Sequence, residues 1–200
     1  MAPTVEVVDP TYQVGKTVRL SGNWFVTKRA NLVGNSMGGG SALGFAVAYP
    51  ERLDKMILMG SGGVGRTSLF TPLPMEGIKL LFGVYREPSM ENLKKMLDVF
   101  VYDSSALTEE LISLRHKSIL ANPQHLENFI KSVDLSKFQM GDFSANLPDI
   151  KHPTLITWGR DDRFVPIDWS LKLLNGLPNS RLHVFSQCGH WAQWEHADAF

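Results

Sequence analysis

The sequence predicts an α/β protein whose parallel sheet is interrupted by a helical insertion. Two observations lead to this prediction. Short apolar runs that end in glycine alternate with helical stretches over residues 30–65 and again over residues 149–200, which is the order expected of strand–helix–strand units. Residues 66–148 show helical spacing of apolar residues instead. We therefore expect residues 1–65 and 149–200 to form one core and residues 66–148 to form a helical lid over it.

The composition excludes several classes of protein. With 200 residues, of which 44% are apolar, the chain is long enough for one packed domain. The 20 basic and 20 acidic residues cancel, and no basic run stands out, so nucleic-acid binding has no electrostatic support. No apolar run is long enough for a membrane span or a signal peptide. Cys188 is the only cysteine and cannot form an internal disulfide, so we expect a cytoplasmic protein.

The first strand–helix–strand unit can be placed along the chain. Residues 1–28 alternate loosely, which predicts one or two short strands. An apolar run at 31–33 ends at Gly34, and the small and apolar residues of 42–48 suit a buried helix that a proline stops. Residues 55–59 form the next apolar run. This order of elements is typical of a parallel sheet.

Capping residues divide the insertion into helices. Residues 76–82 have helical spacing, and Ser89, Thr108 and Asn122 each stand where a helix N-cap is expected. Three or four consecutive helices are therefore predicted, which is the form of a lid between two strands of a sheet.

Strand and helix alternate again after the insertion. Residues 154–158 and 181–185 predict two more strands, and Asp168 is expected to cap the helix between them. Residues 188–191 then form a loop, and a last helix is expected to begin at Glu195.

A five-residue motif, Gly34-Asn35-Ser36-Met37-Gly38, stands between the first strand and the first helix. It matches G-x-S-x-G, in which a serine lies on a sharp strand-to-helix turn. Glycine two residues to either side is expected to avoid collisions with neighbouring elements. The turn places the hydroxyl at a helix N-terminus, where the Met37 backbone N–H can face a developing oxyanion. A glycine-rich packing turn is the alternative, but the position between an apolar strand and a small-residue helix favours a nucleophile.

A serine nucleophile needs a base that takes its proton and a carboxylate that orients the base. The chain order of serine, acid and histidine is met by Ser36, by Asp161 or Asp162 after one strand, and by His190 after the next strand. We favour Asp162 because it lies further beyond the strand end, where a loop can turn toward the histidine. Asp161 is then expected to pair with a neighbouring arginine.

The other histidines suit surface, lid or strand positions; they are His116, His125, His152, His183 and His196. The sequence contains no H-E-x-x-H motif and no cluster of cysteines and histidines, so a metal site has no support. No G-x-G-x-x-G follows a strand either. We therefore expect neither a metal ion nor an organic cofactor.

Four stretches together resemble the meta-cleavage-product hydrolases, a family of α/β-hydrolases, and most of all its biphenyl-pathway branch. They are residues 34–39, 74–81, 158–166 and 188–195. The resemblance covers about residues 30–200 and implies the α/β-hydrolase fold, with Ser36, Asp162 and His190 as its triad. It also implies hydrolysis of a C–C bond in 2-hydroxy-6-oxohexa-2,4-dienoates, which arise by ring opening of catechols, and assembly into a homo-oligomer.

The resemblance implies roles for further residues. Arg115 matches the arginine that binds the dienoate end of the substrate, and a guanidinium suits a carboxylate and an enolate. Residues implied in the polar part of the pocket are Asn35 and Trp191, and those implied in its apolar part are Ile78, Leu81, Met96 and Phe100. Met37 is expected to be a further substrate-binding residue. From the residues alone, Arg115 is a solvated helix arginine and the apolar residues are ordinary lid core.

The chain departs from the family pattern ahead of the nucleophile. Family members have a longer segment there, with a His-Gly-rich loop that donates a second oxyanion N–H, whereas the 35 residues before Ser36 contain no histidine. We therefore expect an N-terminally truncated member, and one lost oxyanion donor costs about 10²–10³ in rate. A carboxylesterase on the same triad and a non-catalytic remnant that binds acidic aromatic fragments are the alternatives. Arg115 and the sequence Asn35-Ser36-Met37 favour C–C cleavage over simple ester turnover.

Overall fold

The computed structural model describes residues 29–65, 67–132 and 141–200. The strands predicted within residues 1–28 lie outside this range. Four parallel strands form one sheet in the order β1-β2-β3-β4. They are β1 (Ala30–Asn35), β2 (Leu53–Met59), β3 (Thr154–Gly159) and β4 (Ser180–Phe185). The α/β class and the parallel sheet predicted from the sequence are confirmed.

Three α-helices of the described residues belong to the predicted core. They are α1 (Met37–Ala48), α6 (Asp168–Gly176) and α7 (Ala192–Glu195). Helices α1 and α6 bury Leu43 and Leu173 in the same apolar cluster as Leu58 of β2 and Ile156 of β3, and all four are fully buried. Each such side chain contributes about 1.5–3 kcal/mol by leaving water. This cluster supports the turns at the ends of the strands.

Within residues 67–132 and 141–153, four α-helices lie between β2 and β3, as the spacing of apolar residues predicts. They are α2 (Glu76–Arg86), α3 (Met90–Phe100), α4 (Glu109–Leu120) and α5 (Pro123–Ser132). The Ser89 hydroxyl accepts the Asn92 N–H at 3.2 Å, and the Thr108 hydroxyl accepts the Leu111 N–H at 3.2 Å. Two of the three N-caps predicted for the insertion, Ser89 and Thr108, therefore accept such a hydrogen bond. No helix in the described residues is long and apolar enough to cross a membrane.

Two predictions about helix ends are wrong. Asp168 does not cap α6; its carboxylate accepts the Ser68 hydroxyl at 2.7 Å and the Leu69 N–H at 3.0 Å. The buried Asp168 carboxylate therefore fixes the start of the insertion to the core. Its two donors, Ser68 and Leu69, lie 100 and 99 residues earlier in the chain. The last helix does not begin at Glu195 but ends there.

Candidate functional site

The turn between β1 and α1 holds Ser36 in a backbone conformation that L-residues rarely adopt. Its φ is 56° and its ψ is −117°, and strain of this kind clusters at functional sites. The surrounding backbone holds the turn in place: the Ser36 N–H donates to the Met59 carbonyl at 2.9 Å, and the Gly62 N–H donates to the Ser36 carbonyl at 3.0 Å. The serine therefore stands at the N-terminus of α1 above the ends of β1 and β2.

The two glycines of the motif are not equivalent. A Cβ at Gly34 would stand 2.5 Å from the carbonyl carbon of Gly38 and 2.6 Å from the nitrogen of Gly39, whereas a Cβ at Gly38 would meet nothing within 4 Å. The expectation that both glycines avoid collisions is thus wrong for Gly38. The turn between β1 and α1 can form because Gly34 has no side chain at the point where the first turn of α1 packs against β1.

His190 and Asp162 form a buried pair at the opposite side of the site. The His190 Nδ1 lies 2.7 Å from an Asp162 carboxylate oxygen, and both side chains are almost fully buried. The other oxygen of Asp162 accepts the Phe164 and Val165 N–H groups at 2.7 and 3.0 Å. A carboxylate only accepts hydrogen bonds, so Nδ1 is the donor and the other ring nitrogen is left to accept a proton.

Aromatic rings fix the plane of the His190 imidazole. Phe164 stacks on it with ring centroids 5.1 Å apart, and Phe100 meets it edge-on at 5.1 Å. Gly60 closes a third side, because a Cβ there would stand 3.0 Å from the His190 Nδ1, and its φ of +48° also favours glycine. The ring can therefore keep the orientation that Asp162 sets.

The neighbouring carboxylate, Asp161, has different partners. It pairs with Arg160 at 3.3 Å and accepts the Cys188 N–H at 3.4 Å. Of the two acids that the sequence left open, Asp162 is the one that contacts His190.

Asn35 connects the turn between β1 and α1 to the loop that carries His190. Its side-chain amide donates to the Met59 carbonyl at 3.1 Å and to the His190 carbonyl at 3.4 Å. The residue directly before Ser36 thus holds the backbone of the histidine. The resemblance assigned Asn35 to the polar part of a pocket, but its side-chain amide here donates to these two backbone carbonyls.

A cavity of about 550 Å³ opens among helices α2 to α5, next to His190. Five of the residues that the resemblance assigned to the pocket line it; they are Leu81, Met96, Phe100, Arg115 and Trp191. The Arg115 guanidinium lies 4.8 Å from the centroid of the Trp191 ring, a favourable cation–π distance. No carboxylate lines the cavity within the described part of the chain. The cavity wall is therefore mainly apolar, with Arg115 as a permanent positive charge and with Tyr85, Ser118, Asn122 and His125 as its polar lining residues. Such a wall suits an anion with an apolar body.

Three of the assigned residues lie away from that cavity. Ile78 packs against the core, and neither Asn35 nor Met37 lines the cavity wall. Their place in a substrate pocket stays a prediction. Sequence reasoning also missed Gly60, Gly159 and Glu195, all of which contact the His190 loop or ring. Gly159 and Glu195 do fall within the family-like stretches of residues 158–166 and 188–195.

Among the titratable groups around the site, Cys188 has a large shift in its pKa. Burial raises the pKa of the Cys188 thiol to about 12, and the nearby carboxylates of Glu195, Asp162 and Asp161 add to the shift. A thiol with this pKa is inert at neutral pH, so Cys188 is not a competing nucleophile. No group of three or more metal-binding side chains occurs within residues 29–65, 67–132 and 141–200.

Comparison with known proteins agrees with this geometry. A strained serine between a parallel strand and a helix, with a histidine–aspartate pair on later loops, defines the class of α/β-hydrolases. The family model for the alpha/beta hydrolase fold matches residues 27–197. A meta-cleavage product hydrolase from Pseudomonas fluorescens superposes with a TM-score of 0.75 at 35% identity, over 86% of this chain and 61% of that chain.

Two curated relatives are 60% identical to the chain. One is the 2-hydroxy-6-oxononadienedioate/2-hydroxy-6-oxononatrienedioate hydrolase of Paraburkholderia phymatum, and the other is the 2-hydroxy-6-oxo-6-phenylhexa-2,4-dienoate hydrolase of Burkholderia cepacia. The alignments cover 86% of this chain and 60% of each relative. The chain belongs to the α/β-hydrolase fold family, within the meta-cleavage-product hydrolases.

Proposed function

We propose that the chain hydrolyses a C–C bond in 2-hydroxy-6-oxohexa-2,4-dienoates, with Ser36 as nucleophile, His190 as base and Asp162 as the acid that orients the base. The observation that carries the proposal is the buried contact of 2.7 Å between His190 and Asp162, held beside the strained serine turn by Asn35. A hydrogen-bonded carboxylate fixes the tautomer that lets imidazole take a serine proton. The names of the curated relatives support the substrate class.

The reaction has two halves. The dienol first ketonises, so a proton moves from the hydroxyl to a chain carbon and an electron sink forms. His190 then takes the Ser36 proton while the oxygen attacks the C6 carbonyl. The C5–C6 bond breaks, its electron pair forms the C4–C5 double bond while the C3–C4 pair moves toward C2, and the C2 carbonyl oxygen, which is the electron sink, takes a proton. Water hydrolyses the acyl-enzyme to a carboxylic acid, and 2-hydroxypenta-2,4-dienoate is the other product.

The Met37 N–H supports the attack step, because it lies at the start of α1 where the helix dipole stabilises negative charge. Arg115 supports binding of the dienoate end, because a guanidinium pairs with carboxylate and enolate oxygens. Its position over Trp191 places the charge at the edge of the apolar cavity.

We further propose an aryl group on C6. Leu81, Met96 and Phe100 supply much of the cavity wall, and a volume of about 550 Å³ is large enough for a substituted ring. The relatives are named for both a phenyl substrate and a dicarboxylate one. The predominantly apolar wall favours the phenyl substrate.

The direct test is the loss of visible absorbance of 2-hydroxy-6-oxo-6-phenylhexa-2,4-dienoate. Wild-type chain and Ser41→Ala, whose exposed hydroxyl bonds the Met37 carbonyl within α1, are expected to bleach it. Ser36→Ala is expected to fall to background. A folded wild-type chain that leaves the colour unchanged would refute the proposal and favour the non-catalytic remnant. The dicarboxylate substrate in a parallel assay decides the C6 group.

Arg115 separates C–C cleavage from simple esterase activity. Arg115→Ala is expected to lower kcat/KM for the dienoate by about 10²-fold, the value of a lost charge-assisted contact, and to leave p-nitrophenyl acetate hydrolysis within about threefold. Arg86→Ala, a surface substitution at the end of α2, is the matched control. Equal losses on both substrates would favour the carboxylesterase.

Two broader proposals accompany this one. We place the chain in the cytoplasm, which is supported by a single, buried and unpaired cysteine. We also propose a homo-oligomer, which is supported by the strongly exposed Leu69 and Phe70 at the start of the insertion. Sedimentation velocity of wild type and of a Phe70→Ser variant tests the second.

A further inference from the structure

The Glu195 carboxylate collects backbone N–H groups from two separate segments. It accepts Gly189 at 2.9 and 3.0 Å, Trp191 at 3.1 Å and Tyr102 at 2.6 Å. Gly189 and Trp191 flank His190, and Tyr102 lies two residues beyond the end of α3 in the insertion. One side chain therefore binds both the loop of the base and the end of a helix that lines the cavity.

The N–H and the carbonyl of His190 are themselves hydrogen-bonded. Its own N–H donates to the Phe100 carbonyl at 2.8 Å, and its carbonyl accepts the Asn35 amide at 3.4 Å. Three successive N–H groups, at residues 189 to 191, thus bond alternately to Glu195 and to the end of α3. Asp162 sets the rotation of the imidazole, and these contacts set the position of its backbone.

The negative charge of Glu195 matters more than its size in this arrangement. Both carboxylate oxygens accept amide protons, and hydrogen bonds to a charged acceptor are about twice as strong as neutral ones. A carboxamide of the same shape has one accepting oxygen, and its NH₂ group faces amide donors that it cannot bond. Tyr102 contacts only one carboxylate oxygen and Trp191 only the other, whereas Gly189 contacts both. Replacing the charge would therefore release Tyr102 or Trp191 while leaving the side-chain volume nearly unchanged.

We infer that Glu195 is a positioning residue, which holds His190 over Ser36 and couples the histidine loop to the end of α3. The inference rests on the proposed function only in taking His190 as the base for Ser36. It assigns no contact between Glu195 and the substrate. Its effect reaches the reaction through the placement of the imidazole.

The test measures covalent labelling of Ser36 by a fluorophosphonate, which needs the base but no dienoate. The inactivation rate constant kinact and the binding constant KI are determined for wild type, Glu195→Gln, Glu195→Asp and the control Glu91→Gln. Glu91 is an exposed partner of Lys95 on α3. All rates are divided by the folded fraction from thermal unfolding.

Glu195→Gln is expected to lower kinact by about tenfold or more at unchanged KI, the effect of losing a charge-assisted contact. Glu195→Asp keeps the charge but is one methylene shorter, so its kinact is expected to fall between those of Gln and wild type. Glu91→Gln is expected to match wild type. A purely structural role would lower the folded fraction and leave kinact per folded molecule unchanged.

A folded Gln variant with wild-type kinact would overturn the inference. If the Gln variant does not fold, the Asp variant decides: reduced kinact at unchanged KI supports positioning, and wild-type kinact overturns it. Turnover of the dienoate is scored separately. Wild-type chain that labels at Ser36 without cleaving the dienoate would reject the proposed C–C activity and leave the role of Glu195 standing.

Discussion

Replacing Gly34 by alanine tests whether the serine turn depends on close backbone contact between β1 and α1. The added Cβ would stand 2.5 Å from the Gly38 carbonyl carbon, and real Cβ atoms essentially never come within 3.0 Å of such an atom. The first turn of α1 must then move by about 0.5 Å or more, and backbone cannot rotate away as a side chain can. Overpacking of this kind costs about 3 kcal/mol. We expect Gly34→Ala to lose about that much free energy of unfolding.

Gly38→Ala is the matched control because it adds the same methyl group to the same motif. A Cβ there meets nothing within 4 Å, and alanine within a helix is favoured over glycine by up to about 1 kcal/mol. We expect Gly38→Ala to be as stable as wild type or more stable, and to label with fluorophosphonate within about threefold of wild type.

Urea unfolding and fluorophosphonate labelling measure the difference between these two variants. The urea midpoint of Gly34→Ala is expected to fall by roughly 1–3 M, since m is about 1–3 kcal/mol/M for small proteins. Its labelling rate is expected to fall about tenfold or more, because Ser36 moves with the turn. Equal stability of the two variants would refute the reasoning, because the close backbone contact at Gly34 would then have no effect on stability.

Three further predictions concern the loops at the ends of β3 and β4. Cys188 has a folded-state pKa of about 12 against an ordinary 9.0, so its stabilising effect is complete below pH 9 and is lost as pH rises toward 12. Above the ordinary pKa of 9.0, wild type should therefore lose about 1.4 kcal/mol per pH unit relative to Cys188→Ala. Urea unfolding at pH 8 and pH 10 should show a loss of about 1.4 kcal/mol, and a constant difference would contradict the reasoning. Asp162→Asn should lower Ser36 labelling by about 10³–10⁴-fold by favouring the wrong tautomer; a loss under tenfold would argue against the assigned role. Gly159→Ala, whose Cβ would overlap the Gly189 carbonyl oxygen, should destabilise by about 3 kcal/mol or more and slow labelling, and calorimetry with unchanged Tm would disprove the overlap.

Local signals in the sequence were sufficient for most of the fold. Apolar runs ending in glycine mark β1 to β3, and the caps at Ser89 and Thr108 mark the starts of α3 and α4. These signals work because a cap or a strand run depends on residues within a few positions. The division at residues 66–148 between core and lid stays a prediction.

The histidine–aspartate pair was only partly determined by sequence. Order along the chain and the position after strands narrowed the acid to two adjacent residues, and the greater distance of Asp162 from the strand end favoured it over Asp161. Which carboxylate reaches His190 depends on how the loop after β3 turns, and Phe164 and Val165 fix that turn by donating to Asp162. The alternation of strands and helices in the sequence does not show which contacts the loop after β3 will form.

The sequence by itself therefore determined the order of strands and helices, the motif around Ser36 and the family. Only the tertiary structure decided that Gly34 is crowded while Gly38 is not, that Asp168 ties down the insertion, and that Glu195 holds the histidine loop. The physical reason is distance along the chain. Each of these roles depends on atoms brought together by folding, such as the 93 residues between Glu195 and Tyr102, and neither periodicity nor spacing records which backbone groups will meet.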